Sequence, residues 1–121
     1  VLYSTIIVLS PIMVCAVGDD QIQIPIPALM NGWNLTGVKG WVNTAGDTGT
    51  MTVQIENVTK SKDMLSTLLT FASGATVDNG SAAIDTTKDD VASGNIISIN
   101  IDTIHTTPAR GLFVELKWEK P

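Results

Sequence analysis

Four stretches of this chain alternate apolar and polar residues with a period of two, which fits an antiparallel β fold and little else. Ile22, Ile24 and Ile26 alternate with Gln21, Gln23 and Pro25, and Met51, Val53 and Ile55 with Thr52, Gln54 and Glu56. Ile97, Ile99 and Ile101 alternate with Ser98, Asn100 and Asp102. Leu112, Val114, Leu116 and Trp118 alternate with Phe113, Glu115, Lys117 and Glu119. Successive side chains of a strand point to opposite faces, so each run has one face for a core and one for a mostly polar environment.

Turn chemistry separates the runs. Gly18-Asp19-Asp20, Met30-Asn31-Gly32, Ala45-Gly46-Asp47-Thr48-Gly49, Asp78-Asn79-Gly80-Ser81 and Ser93-Gly94-Asn95 supply residues that accept positive φ or bond their own backbone. Strands are expected near 4–9, 12–17, 21–26, 35–43, 50–57, 66–72, 81–85, 96–103 and 111–119. Helical pattern is confined to a turn or two between Ser61 and Leu69 and one short turn at Asp89–Ala92. The expected fold class is therefore all-β: an antiparallel β-sandwich, jelly-roll-like, of eight or nine short strands. At 121 residues the chain is expected to form one domain, 1–121, with a single core and no need of a metal or disulfide.

The first seventeen residues break the alternation. From Leu2 to Val17 there is no charged residue, and Ile6, Ile7, Val8, Leu9, Ile12, Met13 and Val14 are all large and apolar. The run is too short and too broken by polar residues for a membrane span, and Pro11 interrupts it. Two short strands hinged at Pro11 are expected instead. One core cannot absorb every apolar face of a small sandwich, so this segment is expected to touch another subunit or a particle, with Ile6, Val8, Ile12 and Val14 as interface residues. Composition points the same way: 44% of residues are hydrophobic and only 16% charged, below the usual quarter.

Candidates for chemistry are few. The net charge is −5 and no Lys/Arg cluster occurs, so nucleic-acid binding lacks its electrostatic basis. His105 is the one histidine, and no Gly-x-Ser-x-Gly elbow accompanies it; a surface or hydrogen-bonded His is the expected reading. Cys15 is the one cysteine, expected to be a buried small hydrophobe. Asp19, Asp20, Asp85, Asp89, Asp90 and Asp102 could offer oxygens to Ca²⁺, but EF-hand spacing is absent and turn and cap roles account for most of them. No catalytic, cofactor or metal residue is therefore assigned, and neither nucleic acid nor membrane is expected as a partner. Trp33, Trp41 and Trp118 are expected mainly in the core or an interface; Trp33, after the turn Asn31-Gly32, is the best candidate for exposure. Trp33 and Trp41 are the residues that an alternative, glycan-stacking reading would use. Sequons at Asn34, Asn57 and Asn79 establish no secretory route.

Several motifs carry a resemblance. They are Val17-Gly18-Asp19, Ile24-Pro25-Ile26-Pro27, Leu29-Met30-Asn31-Gly32-Trp33-Asn34-Leu35 and Thr44-Ala45-Gly46-Asp47-Thr48-Gly49-Thr50. They continue with Val53-Gln54-Ile55-Glu56-Asn57-Val58-Thr59, Asp63-Met64-Leu65-Ser66-Thr67, Ala83-Ile84-Asp85-Thr86, Asp89-Asp90-Val91-Ala92-Ser93-Gly94 and Thr106-Thr107-Pro108-Ala109-Arg110-Gly111-Leu112. In these the chain resembles a recurring type of tailed-phage and prophage virion structural protein, of the capsid-decoration or head- or tail-fibre kind. The resemblance implies a β-sandwich displayed on a virion, commonly a homotrimer, with major capsid or tail proteins as partners. It implies no catalytic residue. A carbohydrate-binding or adhesin-like module is the alternative, and a small hydrolase ranks last.

Overall fold

A computed structural model describes residues 2–121, with side chains from Ser4 onward; Val1, the first residue of the expected domain, lies outside the described residues. The alternating runs become strands. In chain order these are β1 (Leu2–Val14), β2 (Gly18–Pro25), β3 (Asn34–Trp41), β4 (Met51–Asn57), β5 (Lys62–Asp63), β6 (Leu65–Thr67), β7 (Leu69–Phe71), β8 (Ala83–Ile84), β9 (Ile96–Thr103) and β10 (Arg110–Glu119). One 3-10 turn, Ala28–Met30, interrupts them.

All strand pairings are antiparallel. One sheet runs β1-β10-β3; a second runs β2-β9-β4-β5, with β7 also on β4; β6 and β8 form a small third sheet. Leu35, Leu112, Val114, Leu116 and Trp118 from the first sheet share one core with Val53, Ile55, Ile97, Ile99 and Ile101 from the second. This is the sandwich that the alternation predicts, with the apolar phase of each run inside. The layers approach tightly at Gly40, where a Cβ would fall 2.7 Å from the side chains of both Leu69 and Phe71.

Three expectations change. The N-terminal run is one strand, not two hinged at Pro11, and it ends at Val14 instead of Val17. Proline has no N–H to give a ladder, yet an edge strand accommodates it at a bulge. Accordingly the register slips there, from Leu9 opposite Leu112 to Val14 opposite Arg110. Second, the 61–69 segment contains no helix but parts of β5, β6 and β7. Gln54 explains much of this: its buried side-chain amide accepts from Leu65 N (3.0 Å) and donates to Leu65 O (3.1 Å), as a neighbouring strand would. Third, ten strands occur among the described residues instead of eight or nine, because the expected strand at 66–72 is divided and β5 is added, while 4–9 and 12–17 merge into β1.

Candidate interaction surface

β1 is an edge strand, whose one strand partner among the described residues is β10. Its side chains divide between two environments. Val8 lies in the core and Ile6 packs against it, so these two expected interface residues are committed inside the monomer. Ile12 and Val14 are exposed, 79% and 45%, together with Ile7 (63%), Met13 (51%) and Val17 (58%). The split follows from register: Ile6 opposes Val114, which is buried, while Ile7 opposes Phe113 on the outer face.

The segment Ser10–Met13 bulges from the sheet. Between Leu9 and Val14 the strand gains residues relative to β10, and all four side chains are exposed. Even so, the bulge is fixed. Arg110 Nη1 donates to Ile12 O (3.1 Å), and Asn43 Nδ2 donates to Pro11 O (3.3 Å). Gly111 lies against it at φ +73°, where an added Cβ would sit 3.0 Å from Pro11 Cα. Only glycine fits that approach with that backbone. The apolar bulge is thus a built feature.

A second apolar patch lies on the outer face of the same sheet. Ile7 pairs with Phe113, Phe113 with Trp41, and Trp41 with Val77 through an isolated bridge. Directly opposed residues share a face, so these four form one row across the sheet. The next row places Glu115 opposite Lys39, and the Lys39 ammonium lies 5.7 Å from the centre of the Trp41 ring. Sequence reasoning missed this row. Its signal was Phe113, the one apolar residue in the polar phase of its strand.

The outer face of the second sheet has a different character. Asn100 joins its strands, accepting from Asp20 N (2.9 Å) and from Ser98 Oγ, and donating to Glu56 Oε1 (3.0 Å). Around it, burial pushes the Asp102 carboxyl above its ordinary range, with the charges of Asp19, Asp63 and Glu56 adding to the effect. Four carboxylates therefore share one field. Among the described residues no group of three or more His, Cys, Asp or Glu side chains is arranged to hold a metal ion. Asp85 bonds Thr87, and Asp90 pairs with Lys60 at 3.0 Å.

The remaining candidates lie apart. His105 is buried, 1% exposed, with its Nε2 3.2 Å from the Ala72 carbonyl; it is a packed, hydrogen-bonded histidine. Its Nδ1 has no hydrogen-bond partner among the described residues, and Gly46 lies so close that an added Cβ would fall 2.2 Å from that atom. Cys15 is buried, and burial pushes its thiol up to about 11. Trp33 is buried rather than exposed, at 9%, because the turn before it folds back: Gly32 N donates to Val91 O and Val91 N to Trp33 O. Trp118 is in the core, and Trp41 is half-buried. The two tryptophans of the glycan reading therefore do not form a common open platform. Asn57, a sequon residue, is buried and bonds Asn95.

No family model matches the chain, nor does any curated protein or solved structure.

Proposed function

We propose that this protein is a non-enzymatic structural module of a tailed-phage virion, a capsid-decoration protein or part of a head or tail fibre, that works by self-assembly on the particle as a homo-oligomer, a trimer by preference. The virion assignment rests on the sequence resemblance from Val17 to Leu112. The observation that carries the assembly reading is the fixed, uncharged, exposed bulge on edge strand β1. Monomeric proteins tend to charge, shorten or cover such an edge; here it is long and uncharged, and its large exposed residues Ile7, Ile12, Met13 and Val14 are apolar.

Magnitudes support assembly without making it trivial. The exposed parts of Ile7, Ile12, Met13, Val14 and Val17 together equal about three whole side chains. Burying them is worth roughly 4–9 kcal/mol at about 1.5–3 kcal/mol each. Association costs an estimated 4–15 kcal/mol in lost freedom. These five residues alone fall near or below the break-even point, so a stable assembly needs further area.

The glycan-binding reading is the weaker one. Trp33 is buried, and Lys39 lies over the Trp41 ring where a sugar would stack.

Sedimentation velocity of the full chain at micromolar concentration tests the proposal. A species near three times 12.8 kDa is expected. A monomer both in solution and when mixed with particles would contradict it.

A further inference from the structure

We infer that copies of this chain meet head to tail, the apolar bulge of one seated on the apolar row of the next. The inference rests on the self-assembly reading above and specifies its contact. The two patches differ in shape. Ser10–Met13 protrudes and is held by Arg110, Asn43 and Gly111, so little ordering cost remains to be met on binding. The row Ile7–Phe113–Trp41–Val77 is a sheet face. Ile7 and Ile12 belong to the same strand, whose register on β10 is fixed, so a chain cannot lay its own bulge over its own row. Unlike patches that meet between copies form a heterologous contact, which closes into a ring when the rotation allows.

Charge directs a second copy to this face and away from the other. The chain carries −5, so two copies repel unless they meet where charge is absent or balanced. The run Leu2–Val17 has no charged residue. Beside the row, Lys39 and Glu115 balance each other. On the other sheet, Asp19, Glu56, Asp63 and Asp102 crowd together, and an acidic copy would be repelled. Of the two sheet faces, the one bearing the row admits the bulge of another copy without a like-charge penalty.

Two variants of the full chain test this. Ile12→Asp spoils the bulge and Phe113→Asp spoils the row; neither side chain belongs to the core. Each variant alone is expected to weaken association at least about thirtyfold, as loss of an interface hot spot does, leaving monomer by sedimentation velocity. Mixed in equal amounts they should form a heterodimer and nothing larger. Phe113→Asp keeps an intact bulge and Ile12→Asp an intact row, so one contact returns and the ring cannot close. A mixture that stays monomeric would overturn the head-to-tail contact. So would a variant that keeps the parent's assembly. If either variant melts far below the parent, Met13→Asp and Val77→Asp form the second pair, with the same outcomes required. A parent chain that is itself monomeric, with or without particles, removes the self-assembly reading and this inference with it; an assembling parent with indifferent variants removes only the inference.

Discussion

Gly46→Ala is the substitution whose effect the packing fixes most closely. An alanine Cβ at position 46 would fall 2.2 Å from Nδ1, 2.5 Å from Cγ and 2.8 Å from Cε1 of His105. The backbone of Gly46 is not among the positive-φ positions, so alanine is acceptable there in conformation, and the whole effect is steric. The ring has little freedom to retreat: His105 is 1% exposed, and its Nε2 is bonded to Ala72 O. Overpacking by a single carbon typically costs about 1–3 kcal/mol. The Gly74 N–H bond to Gly46 O (2.8 Å) is at risk in the same movement. For a domain of this size about 1–3 kcal/mol lowers Tm by roughly 4–12 °C. Urea melts of parent, Gly46→Ala, His105→Ala and the double variant form a cycle. His105→Ala alone leaves a cavity and loses a hydrogen bond; in the double variant the new methyl occupies part of that cavity. The two substitutions should therefore cost less together than the sum of their separate costs, by at least about 1 kcal/mol. Additive costs, or a Gly46→Ala loss below about 0.5 kcal/mol, would refute the ring-on-glycine contact.

Other outcomes follow from the same contacts. Cys15 should react with a thiol reagent in the native protein far more slowly than after unfolding, because the side chain is buried and its thiol is pushed up to about 11. The folded state holds that proton more tightly than the unfolded chain, so the contribution is complete below pH 9 and is lost as pH rises from 9 toward about 11; Cys15→Ala should flatten that part of the stability profile. Asp90 behaves oppositely. Its hydrogen bond and charge pairing with Lys60 hold the carboxyl below its ordinary 3.8, so the stabilisation is present above that value and lost as pH falls through the lowered one. The pair is partly exposed, so Lys60→Ala should cost less than about 1 kcal/mol and less still in high salt. Asn57→Ala should cost more, about 1–3 kcal/mol by chemical denaturation. It strips a buried partner from Asn95 and leaves the Lys60 N–H without the Asn57 carbonyl.

The sandwich was legible because its signal is local. At Ile97, Ile99 and Ile101, and at Leu112, Val114 and Leu116, the apolar phase predicts the face turned to the core, although Ser98 and Asn100 of the other phase are buried too. The 61–69 segment was not legible. Leu65 and Leu69 stand four apart, a helical spacing, yet both are buried on separate short strands. What holds Leu65 is the Gln54 amide, from a residue eleven positions earlier. No window of propensity contains such a bond, and tertiary context overrides weak local preference. Trp33, the best candidate for exposure among the tryptophans, is buried for a related reason: the turn before it is ordered by Val91, far along the chain.

The N-terminal surface divides along the same line between local and distant information. Composition alone identifies Leu2–Val17 as an apolar excess, but it cannot assign a face to each residue, because a bulge shifts the phase of everything beyond it. Val8 follows Ile6 in phase into the core, and one register slip between Ile7 and Leu9 brings Leu9 opposite Leu112 and against the core as well. Beyond a larger slip before Val14, Ile12 and Met13 are exposed. The residues that set the second slip, Asn43, Arg110 and Gly111, lie in other parts of the sequence. Gly111 is the most informative of them. Its φ of +73° and its close approach to Pro11 disfavour any side chain there, so this glycine near the start of β10 also shapes the bulge beside it. Here the ladder is interrupted between Leu9 and Val14, and the apolar residues freed from it, Ile12 and Met13, are exposed, so the surface on which the proposed assembly rests is set by residues that no local window of the sequence contains.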